Sequence, residues 1–348
     1  MVSVILAGGK GLRLWPESRR IKPKQLCKFI NNKSMLDHTI DRSIEAGANR
    51  IIIITSDDLA EKIKALINTR ADAEIIEVLS EPEGKNTAPA VGLALSRYHM
   101  ELNNEIFAVF PADHHVLDTA SFKATVDKAL HAAQTGHIAT IGVVPDRAET
   151  GYGYIEKAKW EIGHIPGVFQ VNSFCEKPDL PTAENYLSSG NYMWNAGIYI
   201  AKASVFLEEF EKHLPEIYGA LISGYDNYYN SYSRLPSISL DYGIAEKCTC
   251  MAVVTGDFGW CDLGSWNALS DLHQHDEMEN TCSGNDVIVL ESSNCLVKQS
   301  EKTVVLFGVD NLLVVETDDI ILVSERHRAQ DIRYIVDNLG QLERFDLL

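Results

Sequence analysis

Val2-Ser3-Val4-Ile5-Leu6 leads directly into Ala7-Gly8-Gly9-Lys10-Gly11-Leu12-Arg13-Leu14-Trp15-Pro16, and Pro23-Lys24-Gln25 follows shortly after. The first five residues are an apolar run that reads as a buried strand. A strand opening into a glycine-rich loop is a phosphate cradle. Without side chains the backbone comes close, and several N–H groups point at one anion. Charge agrees: between positions 10 and 28 there are seven basic residues and one acidic residue, Glu17, in a chain of net charge −18. Two familiar glycine loops are excluded. Lys10 is followed by Gly11 and Leu12, so the hydroxyl that a Walker loop offers to magnesium is missing. Read from Gly9-x-Gly11, a dinucleotide fingerprint would place Leu14 where close helix packing needs a glycine.

Outward from the loop, helical spacing at 35–46, 58–68, 88–100 and 121–134 alternates with apolar strands at 50–55, 74–80, 106–110 and 137–143. That alternation predicts an α/β, Rossmann-like domain whose mostly parallel sheet is covered on both faces. Ligands on such sheets sit at the carboxyl ends of strands, where the Gly8 loop and Asp113 both fall. From 150 the pattern changes. Segments 151–155 and 170–175 read as antiparallel strands, 180–188, 203–210 and 215–232 as helices, and 197–201 as a strand. The tyrosines of 215–232 read as packed amphipathic residues. Strands at 251–255 and 258–260 and a helix at 265–273 follow. Beyond 284, short strands at 286–290, 295–297, 303–307, 312–316 and 320–323 read as a small C-terminal β-module, short and β-helix-like, closed by a terminal helix at 330–339. No exact repeat is visible. The polar stretch 276–284 sets the expected domains at 1–276 and 284–348.

The 348 residues suffice for two domains, and 45% apolar content supports a large core. A pI near 5.0 argues against nucleic-acid or anionic-membrane partners. No apolar run is long enough to span a membrane, and the start lacks a basic leader, so a cytoplasmic location is expected. Seven scattered cysteines suggest reduced thiols. Cys248-x-Cys250, and His273 and His275 with Cys282, lack a usual zinc spacing and are set aside.

Five further stretches carry chemistry. Asn86-Thr87-Ala88-Pro89 opens a helix. Asn86 or Thr87 caps it, and the amide and backbone groups there suit the edge of a base. Asp113 and Asp262 each end a strand. As simple turn residues they would be unremarked, but two carboxylates near a phosphate loop meet what Mg²⁺ asks of a protein. Glu176-Lys177 offers a carboxylate for sugar hydroxyls and an ammonium for a second phosphate. Asn195, beside Gly197, suits a hydroxyl, while its neighbour Trp194 reads as core.

In order, GGKGLRLWP, PKQ, EGKNTAPA, FPADHHV, TGYGYIEKA, FCEKPD, YMWNAGIY, SLDYGIAEK and GWCDLGSWNAL resemble the bacterial mannose-1-phosphate guanylyltransferases, also called GDP-mannose pyrophosphorylases. ETDDIILV and the helix after it resemble that family's C-terminal part. Leu12 departs from the family's usual threonine. Many relatives carry a fused isomerase domain, and isomerase activity is not implied here. The resemblance implies a nucleotidyltransferase with GTP and mannose 1-phosphate as substrates, GDP-mannose and pyrophosphate as products, and Mg²⁺ as cofactor. It implies Arg13, Lys24, Asp113 and Asp262 as catalytic, the two aspartates holding the metal. Leu6, Ala7, Gly8, Gly9, Gly11, Arg13, Lys24, Asn86, Thr87, Ala88, Pro89 and Asp113 would meet the nucleotide. Gly153, Glu176, Lys177 and Asn195 would meet the sugar phosphate. Alternatives are another NTP or hexose 1-phosphate, a non-catalytic sugar-nucleotide sensor, and, more distantly, an NAD-dependent oxidoreductase. Oligomeric state is not fixed by the sequence, and a homodimer stays open.

Overall fold

The structure is a computed structural model that describes residues 1–9, 11–98, 104–163 and 165–348. Lys10 and the end of the expected helix 88–100 lie outside the described residues. The chain forms two compact units. The first comprises Met1–Gly8, Thr39–Ala112 and Val116–Trp260; the second comprises Gly9–His38, Asp113–His115 and Cys261–Leu348.

In chain order the strands are β1 (Val2–Leu6), β2 (Arg50–Ser56), β3 (Ile76–Glu81), β4 (Ile106–Pro111), the two-residue β5 (His115–Val116), β6 (Ile138–Val143), β7 (Gly153–Glu161), β8 (Val168–Glu176), β9 (Tyr192–Lys202), β10 (Met251–Gly256) and the two-residue β11 (Trp260–Cys261). The first unit is built on one sheet of order β3-β2-β1-β4-β9-β6-β10-β8-β7. Strands β8 and β9 run against the others, so the sheet is mixed with a parallel majority.

Side-chain alternation along the strands divides the core in two. Phe107, Val109, Tyr199 and Ala201 face a cluster shared with helix Thr87–Tyr98 and helix Ala203–His213. Ala108, Phe110, Ile198 and Ile200 face helix Thr119–Gln134. Both faces are therefore covered, as the continuous apolar strands require. Ile51, Ile52 and Ile53 on β2 are fully buried, and each such side chain contributes about 1.5–3 kcal/mol.

Several elements differ from expectation. The helix expected over 215–232 is two helices, Pro215–Ile222 and Tyr225–Ser231, because Gly224 adopts φ 91° between them. Strand β9 begins at Tyr192, earlier than the expected 197. Gly197, with φ 67°, sits inside β9 at an irregularity of the β6–β9 pairing.

The second unit adds β12 (Thr281–Ser283), β13 (Val287–Leu290), β14 (Leu296–Lys298), β15 (Val304–Phe307), β16 (Leu312–Glu316) and β17 (Ile321–Glu325). β12, β14 and β16 stack in parallel, as do β13 and β15, with β17 antiparallel on β16. Asp286–Thr303, Ser293–Asp310 and Asn294–Asn311 hydrogen-bond between side chains 17 residues apart. The coil thus repeats in space although the sequence shows no exact repeat. The module's apolar face packs with the N-terminal loop: Leu14, Trp15, Trp266, Leu296, Leu313, Val315 and Leu322 share one cluster. Trp15 Nε1 donates to Leu347 O at 2.8 Å, and Trp266 Nε1 donates to Trp15 O at 3.1 Å. The helix Ile332–Gln341 follows.

Candidate active site

In the first unit, Leu6 ends β1 and accepts from Ala112 N, while Ala7 N donates to Ile54 O at 2.7 Å. The backbone leaving the strand is thereby fixed. Gly8 is needed for space, since a Cβ there would stand 2.5 Å from Glu81 Oε1. Glu81 ends β3, is buried, and accepts from the Tyr232 hydroxyl at 2.6 Å. Burial raises its pKa, against the lowering effect of that hydrogen bond.

Asn86 is exposed with φ 70°, and its Oδ1 accepts from Thr87 N at 2.9 Å at the start of helix Thr87–Tyr98. Thr87 Oγ1 accepts from Leu240 N at 2.7 Å, and Ala88 N donates to Ile238 O. Ala88 and Pro89 face the core, with Pro89 O taking the Tyr228 hydroxyl at 2.9 Å. The packed tyrosines expected in 215–232 thus include Tyr228 and Tyr232, both fully buried.

Gly153, Glu176 and Asn195 converge in the same unit. Pairing of β7 with β8 sets Gly153 opposite Glu176. A Cβ on Gly153 would lie 2.5 Å from Glu176 Oε2 and 3.4 Å from Asn195 Cβ. Glu176 has its pKa raised by burial first and then by Asp241, against the pull of Lys177 at 2.9 Å. Lys177 has φ 49° and a half-exposed side chain. Asn195 is buried, and its amide is fully used. Oδ1 accepts from Thr140 Oγ1 at 2.9 Å and Gly197 N at 3.2 Å, while Nδ2 donates to Tyr199 and to Asp241, each at 3.0 Å. The Tyr199 hydroxyl also donates to Asp241.

In the second unit, Gly9 is exposed. Gly11 has φ 56°, and a Cβ there would sit 2.4 Å from Lys24 Cβ, so only glycine fits. Leu12 packs on the unit's apolar cluster, which gives its departure from threonine a packing role. Arg13 is exposed on the short helical turn Leu12–Leu14. Lys24 is buried; its Nζ donates to Asp113 Oδ2 at 2.8 Å and to the main-chain oxygen of Asp262. Burial would raise the Asp113 pKa, but the Lys24 ammonium, helped by His114, holds it below the usual carboxylate range. Asp262 Oδ1 accepts from Gly264 N at 2.9 Å. One buried cation therefore organises both aspartate-bearing segments.

Sequence reasoning missed Glu81, Tyr199 and Asp241. Glu81 stands two residues before the EGKNTAPA stretch, Tyr199 ends YMWNAGIY and Asp241 lies inside SLDYGIAEK, so proximity to those motifs was the available signal.

Residues 2–279 match the family Nucleotidyl transferase, and residues 285–339 match the MannoseP isomerase/GMP-like beta-helix domain. A mannose-1-phosphate guanylyltransferase of Klebsiella pneumoniae is 36% identical over 99% of this chain and 75% of its own length. The alginate biosynthesis protein AlgA of Pseudomonas aeruginosa is 34% identical over 97% of this chain and 72% of its own length. A crystal structure titled mannose-1-phosphate geranyltransferase from Thermus thermophilus superposes with a TM-score of 0.88 at 32% identity, covering 97% of this chain and 99% of that one. Among the described residues no helix is long and apolar enough to cross a membrane.

Proposed function

The chain belongs to the nucleotidyl transferase family and, within it, to the mannose-1-phosphate guanylyltransferases, and on that premise we propose that it transfers GMP from GTP to α-D-mannose 1-phosphate, forming GDP-mannose and pyrophosphate in the cytoplasm. The observation that carries this reading is the near-full-length identity to guanylyltransferases. A phosphate oxygen of the sugar phosphate attacks the α-phosphorus of GTP, and the bond to the pyrophosphate oxygen breaks. The nucleophile is already anionic, so no strong base is needed. The barrier lies in anion repulsion and in charge on the leaving group, which positioned cations relieve.

The residue roles follow from chemistry. The amides of 8–11, Arg13 and Lys24 hold the triphosphate. Asn86 offers its amide to the guanine edge, with Thr87, Ala88 and Pro89 fixing the helix start beneath it. Lys177 meets the sugar phosphate, and Glu176 meets a sugar hydroxyl in the space that Gly153 leaves. Asn195, its amide already saturated, works by holding Asp241, and Asp241 joins the set of sugar contacts. Asp113 and Asp262 supply hard carboxylate oxygens, and Asp113 is kept ionised by Lys24, so this donor set fits Mg²⁺. When bound there, Mg²⁺ supplies neutralisation of phosphate charge. We assign residues 1–276 to the transferase domain and 284–348 to the β-module, a division supported by family matches that end at 279 and resume at 285.

The test is a matrix of four NTPs against several hexose 1-phosphates with Mg²⁺, scored by pyrophosphate release. GTP with mannose 1-phosphate should give the highest kcat/KM, because a site built to hydrogen-bond one base rejects its analogue strongly. Equal kcat/KM for ATP and GTP would defeat the assignment of the base site.

A further inference from the structure

The cysteine pair set aside on spacing acquires partners in the fold. Cys248 and Cys250 flank Thr249 just before β10, with their sulfurs 3.2 Å apart. The end of helix Ala203–His213 lies against them. Ligand atoms of Glu209, Cys248 and Cys250 all fall within 4.8 Å of one another. One helical turn beyond Glu209, on the same helix face, stands His213.

Glu209 Oε2 and His213 Nε2 are buried and lie 3.1 Å apart, within ion-pair distance of each other. The Glu209 side chain is only 9% exposed. Lys212 approaches its other oxygen at 3.6 Å. Buried polar atoms are nearly always satisfied, and neither of these two makes an aligned hydrogen bond. Ligand bonds of about 2.0–2.3 Å put neighbouring ligands of a tetrahedral cation roughly 3.3–3.8 Å apart. The two sulfurs, 3.2 Å apart, would spread toward the upper end of this range on binding.

We propose that Glu209, Cys248 and Cys250 form a site for one divalent cation of zinc's class, with His213 pairing the Glu209 carboxylate. Two thiolates and a carboxylate are a set that favours zinc over magnesium. Binding converts both thiols to thiolates and releases two protons. The site is structural. Cys250 O accepts from Ile138 N at 3.1 Å, so the pair lies at the amino ends of β6 and β10. Gly8 follows the carboxyl end of β1, which runs in the same direction, so the substrate end of this unit is the opposite one. A cation here staples helix to strand start without touching the reaction.

The test uses the full chain, reduced, stripped with a chelator and desalted, with Zn²⁺ and Co²⁺ as probes. One equivalent of Zn²⁺ should protect two thiols from a colorimetric thiol reagent and raise Tm, with turnover unchanged. Co²⁺ should produce a thiolate-to-metal charge-transfer band that saturates at one equivalent. Cys250→Ser should halve that band and Glu209→Gln should alter the d–d bands, while Cys282→Ser should leave both intact. Where a serine variant fails to fold, thiol protection in the unaltered chain still decides. Absence of both protection and the cobalt band would overturn the site. So would a mass, under the reducing conditions used, showing Cys248 and Cys250 joined as a disulfide.

Discussion

Lys24 gathers several functions into one buried ammonium. It fills the space that Gly11 leaves, pairs with Asp113 and reaches the Asp262 carbonyl. Its pairing depresses the Asp113 pKa, so this stabilisation is present above the unfolded carboxylate value near about 4 and is lost as pH falls through the folded value. Urea midpoints measured from neutral pH down to about pH 3 should fall less steeply for Asp113→Asn than for the unaltered chain; parallel curves would remove the pair from the acid limb. The proposed metal site makes a second prediction. Asp113→Asn and Asp262→Asn should each fold and need far more Mg²⁺ for activity, and the double variant should be little worse than the poorer single, since residues acting as a unit are not additive. Initial rates against Mg²⁺ concentration read this directly. An unchanged profile for Asp262→Asn would leave Asp113 alone as a ligand.

At the scale of elements, strand-end placement of the Gly8 loop and Asp113 was legible because apolar runs and glycines declare themselves locally. The proposed sugar-contact group was only half legible. Glu176, Lys177 and Asn195 stand in recognisable motifs, but Asp241 joins them from the helical turn Asp241–Ala245, 46 residues beyond Asn195, a contact that no local pattern encodes. The Cys248 pair shows the same thing: its ligand spacing is closed by a helix more than thirty residues upstream. Gly153 tests the geometry of the sugar group. Gly153→Ala would push Glu176 from its place, and loss of one hydrogen bond to a charged group costs about 1.5–3 kcal/mol. KM for mannose 1-phosphate should rise roughly tenfold or more by that principle, with KM for GTP little changed. Equal effects on both substrates would show that Gly153 serves folding rather than sugar binding.

For the whole molecule, the second unit joins sequence-distant parts. The signature loop residues Leu14 and Trp15 share their core with Leu296, Leu313, Val315 and Leu322, and Arg19 is held by Asp319. A reading of the chain in consecutive pieces showed the β-module but not that it packs on the N-terminal loop. Deleting everything after Gly284 should expose that core and yield an aggregating protein; a soluble, folded truncation that binds GTP normally but does not turn over would instead place reacting groups in the module. The central claim is the reaction itself. Phosphorus NMR of the full chain with GTP, mannose 1-phosphate and Mg²⁺ should show the diphosphate pair of GDP-mannose and free pyrophosphate growing in equal amounts. Release of inorganic phosphate in their place, or an unchanged spectrum, would contradict it.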